Sequence, residues 1–145
     1  MTEVEFHFNA PDKLAYACRF VRKALRHQAR VAVVAAHEQL QQLDRMLWEL
    51  GATDFVAHCL DTAASNELRW ASPVLLTARP ADSLHKEILL NLGDATPEGF
   101  DQFARLVEVV GLAEPDRLLA RTRWRGYAAQ GYAIARRDLV LKESV

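Results

Sequence analysis

Arg30-Val-Ala-Val-Val-Ala-Ala36 decides how this chain folds. It is a short, unbroken apolar run, which reads as a strand buried on both faces. Upstream, Val4, Phe6 and Phe8 alternate with Glu5 and His7, the period-two signature of a half-buried strand. Asn9-Ala-Pro11-Asp12 stops that strand and starts a helix, with proline near the first turn. Leu14, Cys18, Val21 and Leu25 then recur at helical spacing, with Arg19, Arg22, Lys23 and Arg26 on the solvent side. The helix is expected over about Asp12 to His27. A helix joining two strands makes them parallel. Downstream, His37-Glu38 opens a second helix with Leu40, Leu43, Met46 and Leu47 on its apolar side. It ends near Leu50-Gly51, with glycine past the C-terminus. Phe55 to Leu60 reads as a third strand.

The first sixty residues therefore read β-α-β-α-β, the opening of a doubly wound sheet. Pro73–Thr77, Ile88–Leu92 and Arg105–Val110 are further strand candidates. A short helix is expected over Gly99–Phe103, and Ala133-Ile-Ala135 adds a short last strand. The expected fold class is α/β: a single three-layer domain, a Rossmann-like, mostly parallel sheet with helices on both faces. Residues 1–137 form the domain, and 138–145 are a frayed tail. Such a fold invites a nucleotide site, but no glycine precedes Gly51 and the first turn is Asn-Ala-Pro-Asp. Neither a Gly-x-Gly-x-x-Gly turn nor a Walker A loop is present to cradle phosphates.

Composition sets further bounds. The 145 residues are one domain's worth of chain, half of them hydrophobic, with a net charge of −1. Charge is uneven: residues 1–113 carry eleven Lys/Arg against fifteen Asp/Glu, and residues 114–145 carry seven against four. Cys18 and Cys59 stand far apart in apolar company and read as free buried thiols. With neither a leader nor a membrane-length apolar run, the protein is expected in the cytoplasm.

The basic excess lies on Arg117–Tyr132, which follows the acidic turn Glu114-Pro115-Asp116. At helical spacing Arg117, Arg121, Trp124, Arg125 and Ala128 share one face. Three readings fit. The helix is a solvated amphipathic one, or its guanidinium forks and indole hold an acidic peptide, or they hold nucleic acid. Chemistry elsewhere is sparse. The five histidines read as surface or capping residues, no metal site is expected, and Asp61 at a strand end is a lone acid. A small α/β enzyme using that C-terminal sheet edge is the alternative function. Trp48 and Phe55 flank Gly51 and read as a core pair or as an aromatic anchor for a protein partner.

Ala120-Arg-Thr-Arg-Trp-Arg-Gly-Tyr127, followed by Gly131-Tyr132, resembles the last helix of the chi subunit of bacterial DNA polymerase III. Val4–Phe8, Leu43-Asp-Arg-Met-Leu-Trp48, Phe55-Val-Ala-His58, Glu87–Leu92 and Phe103–Val110 resemble other segments of that family, in order along nearly the whole chain. Arg69–Lys86 matches poorly, Gly126 and Ala128 stand where the family can carry larger or basic side chains, and the Val110–Arg117 loop is shorter. The resemblance implies a non-catalytic, clamp-loader-associated subunit with no cofactor. It implies binding of the acidic C-terminal tail of single-stranded DNA-binding protein, which ends in an aromatic residue and a free carboxylate. DNA would then be met only indirectly. By the same resemblance Arg121 holds the terminal carboxylate, Trp124 walls the aromatic pocket, Arg117 and Arg125 meet the tail's acids, and Leu112 is the apolar floor. Trp48 and Phe55 would belong to the surface that meets the psi subunit.

Overall fold

The computed structural model describes residues 1–50, 56–60 and 72–140. Its strands are β1 (Glu3–Ala10), β2 (Val31–Val34), β3 (His58–Leu60), β4 (Val74–Thr77), β5 (Ile88–Asn91), β6 (Arg105–Gly111) and β7 (Ile134–Asp138). They form one sheet in the order β3-β4-β2-β5-β6-β1-β7, and every pairing described is parallel. The helices are α1 (Lys13–Arg26), α2 (His37–Trp48) and α3 (Glu114–Ala129). Asp12 caps α1 by accepting from the Ala15 amide at 3.1 Å, as its position before the helix predicts.

Side-chain alternation sorts the core onto the two faces of the sheet. Val31, Val33, Leu90, Val107 and Val109 pack with α1 and α2. The intervening Ala32, Val34, Leu89, Leu106 and Val110 pack with Val4, Phe6 and the inner side of α3. β2, β4 and β5 are buried at every position because both faces are covered, which is why they read as unbroken apolar runs.

The structure refines several expectations. β1 and β2 are parallel but not neighbours, since β1 lies between β6 and β7. The segment expected as a short helix after Gly99 is a single 3-10 turn, Phe100–Gln102. β7 runs to Asp138 and Leu139 is buried, past the boundary expected at Arg137. His7 and His58 are buried rather than surface residues, because each ring is held by polar partners on its own face of the sheet. Cys18 and Cys59 are free and buried. Phe55 and Asp61 lie outside the described residues. Among the described residues no helix is long and apolar enough to cross a membrane.

Candidate functional site

Neighbouring strands β1 and β6 send their chains to opposite faces, into α1 and α3. A doubly wound sheet opens a crevice at such a point, and it is where ligands commonly bind. Here an acid fills it. Asp116, in the first turn of α3, accepts from the Gly111 amide at 2.6 Å and from Lys13 Nζ at 3.2 Å. A Cβ built on Gly111 would stand 3.3 Å from the same carboxylate. The Gly111 amide and Lys13 at this point are thus engaged by the protein's own carboxylate, in keeping with a sequence that lacks a phosphate-binding turn.

α3 is fixed to the sheet by a buried polar network that the sequence did not reveal. Its inward residues are Ala120, Arg123 and Tyr127. Arg123 Nε lies 3.2 Å from Glu108 Oε1, and its Nη1 donates to the Asp94 carbonyl at 2.6 Å. Glu108 also accepts from Asn91 Nδ2 at 2.8 Å and from the Tyr127 hydroxyl. Burial pushes the Glu108 carboxyl up against the pull of Arg123. Burial and the neighbouring carboxylate push the Tyr127 phenol up, so it stays a proton donor. Glu108 interrupts an apolar strand, and that lone acid in a buried run was the available signal.

Beside this row the helix opens a groove of about 550 Å³. Arg117, Arg121 and Arg125 from α3 and Arg136 from β7 line it, with no acidic side chain in the lining. Phe6, Phe8 and Val110 supply its apolar floor and Trp124 its wall. The Trp124 and Phe6 rings sit 4.9 Å apart, tilted by 46°. Arg117 is held from below: its Nη2 donates to Asn9 Oδ1 at 2.7 Å, and Asn9 Nδ2 donates to Asp138 Oδ1 at 3.0 Å. Asn9 stands at the irregular end of β1 with φ 66°, a left-handed conformation that asparagine tolerates better than most residues. Arg121 Nη1 lies 3.5 Å from Glu114 Oε1, an exposed pair that an incoming anion can replace at small cost.

Four of the five expected groove residues, Arg117, Arg121, Trp124 and Arg125, are therefore brought together. Leu112 is not: it is 49% exposed and lies outside the lining. β6 ends at Gly111, so Leu112 leaves the sheet and Val110 takes the floor position. Phe6 and Phe8 were missed as site residues, although their shared face was legible in the alternation of β1.

Trp48 lies elsewhere, at the end of α2, and is 60% exposed. Its ring packs 5.1 Å from that of His58. His58 Nδ1 donates to the Val56 carbonyl at 2.6 Å, and Nε2 lies 3.0 Å from Asp44 Oδ1. This indole is beside β3 at one edge of the sheet, whereas the arginine groove is beside β7 at the other.

Comparison with known proteins identifies the family of the chain. The family described as "DNA polymerase III chi subunit, HolC" matches residues 1–135. The chain belongs to the DNA polymerase III chi subunit family. DNA polymerase III subunit chi of Pseudomonas aeruginosa is 30% identical over 139 residues, covering 92% of this chain and 94% of that one. As a chi subunit the protein is an accessory component of the polymerase, and its partners lie within that holoenzyme. The match runs through every described strand and helix, with β7 truncated only after Ala135.

Proposed function

We propose that the α3 groove binds the acidic C-terminal tail of single-stranded DNA-binding protein, and that the protein thereby joins that partner to the clamp loader through psi. The observation that carries this reading is four arginines around an aromatic-walled floor with no acid in the lining. A chain terminus offers two carboxylate oxygens, which a guanidinium fork accepts as a pair. Arg121, held only by an exposed acid, is free to turn toward it. The tail's last aromatic ring would enter beside Trp124 over Phe6 and Phe8, and its upstream acids would meet Arg117, Arg125 and Arg136. Recognition of this kind combines an apolar anchor with charge.

The psi contact would fall on Trp48. An exposed indole already seated against His58 gains little disorder to lose on binding, which suits an interface anchor. With the two surfaces at opposite sheet edges, both partners could be held at once.

Titration of a fluorescent peptide copied from the tail tests the first contact. Wild type is expected to bind it, and Arg121→Ala to lose more than about tenfold in affinity, the effect of removing a charged hydrogen bond. A peptide ending in a carboxamide should bind as poorly to wild type as the native peptide does to the variant. Equal binding of native and amidated peptides would overturn the assignment of the groove.

A further inference from the structure

A second basic groove lies on the other face, between α1 and the sheet, with a volume of about 720 Å³. Arg19, Lys23 and Arg26 form its helical wall, and Arg105 and Arg137 its strand wall. Arg22 and His27 extend the helical side, and no acidic side chain is in the lining. The acid bonded to Arg105 is Glu5, whose carboxylate is already engaged by the Arg105 guanidinium and by His7 Nε2. The apolar residues there, Ala24, Ile88 and Leu139, are buried and form its floor, with the cations along both walls. One partly buried aromatic ring stands among the cations, that of Phe20, 5.9 Å from the Arg105 guanidinium; the Tyr16 ring, 5.7 Å from that of Arg19, is buried in the core.

We propose that this α1 groove binds the phosphate backbone of single-stranded nucleic acid. Cations on both walls of a concavity follow a polyanion by charge, without needing a side-chain pocket. The Arg105–Phe20 pair, whose ring is partly open to the groove, suits an unstacked base. The protein is a subunit of a DNA polymerase, so a nucleic-acid backbone is the polyanion at hand. Arg136 and Arg137, adjacent on the edge strand β7, line the α3 and α1 grooves respectively, so cationic surface continues around that edge. The proposal does not depend on what occupies the α3 groove.

Anisotropy of a fluorescent oligothymidylate, titrated with the full chain across about 50 to 200 mM salt, tests it. Wild type should bind at low salt and lose affinity steeply as salt rises. Lys23→Ala/Arg26→Ala, both exposed helical positions, should melt like wild type yet bind about tenfold more weakly, with a log–log salt slope shallower by one to two, about one per cation lost. Arg121→Ala should bind the oligonucleotide as wild type does. No binding at the lowest salt, or loss in Arg121→Ala with none in the α1 double variant, would overturn the site. Displacement of the oligonucleotide by poly-glutamate at equal charge concentration would make it a site for acidic protein instead, and tighter binding of duplex would overturn the single-strand assignment.

Discussion

Arg121 and Arg123 are two residues apart and face opposite environments. Arg123 is buried against Glu108, so truncating it leaves an unpaired carboxylate in the core. Arg123→Ala is expected to cost about 3–5 kcal/mol in urea unfolding, the usual size for breaking a buried pair from one side. Arg121 is 57% exposed at its side chain, and Arg121→Ala should change stability by less than about 0.5 kcal/mol. A tail-binding defect in the second variant is then a defect of the surface alone. Asn9 belongs at this scale too. Asn9→Gly keeps the φ of 66° accessible but removes the bonds to Arg117 and Asp138. It should weaken tail binding several-fold by releasing Arg117, while a crystal structure of the variant shows an unchanged β1.

At the scale of the element, α3 combines an inward row that locks it to β6 with an outward row that presents the groove. Gly126 lies within the helix on its exposed side, and a Cβ there meets nothing within 4 Å. Gly126→Ala should therefore stabilise the protein by about 0.5–1 kcal/mol, read as a rise in melting temperature, with tail binding unchanged. α2 ends in Trp48, whose ring packs on that of His58 at the β3 edge. Trp48→Ala should abolish binding to psi and leave the tail peptide's affinity as it was, because β3 and β7 are at opposite ends of the sheet.

At the scale of the whole molecule, Glu5 and His7 tie the fold to pH. His7 donates from Nε2 to Glu5 while Nδ1 accepts from the Tyr16 hydroxyl, which the neutral ring satisfies. The His7 hydrogen bond and then Arg105 hold the Glu5 carboxyl down to about 2, against burial. Burial lowers His7 from its ordinary 6.5. Both shifts have the same sign: each group binds its proton more readily in the unfolded chain. The Glu5 contribution is complete above about pH 4.5 and is lost as pH falls toward 2; that of His7 is complete above about 6.5 and is lost as pH falls through its lowered value. Glu108, pushed up by burial, carries the opposite sign, so the test is a difference: the denaturant midpoint of Glu5→Gln should fall less than that of wild type as pH drops below 4.5. Guanidinium charge is unaffected in this range, so tail binding should weaken with salt rather than with mild acid.

Sequence by itself determined the α/β class, the parallel sense of the strands, the order of the elements and the clustering of arginines around Trp124. Those follow from local rules: periodicity separates strand from helix, a helical connection forces parallel pairing, and one helix carries its own face. Only the tertiary structure decided which strands are neighbours, and with that the floor of the groove. Phe6 and Phe8 come to Trp124 because β1 inserts between β6 and β7, more than a hundred residues away in the chain. The same insertion sets Asn9 beneath Arg117. The exclusion of Leu112 and the burial of Arg123 were likewise out of reach, because helical spacing states that residues share a face but not which face the sheet will cover.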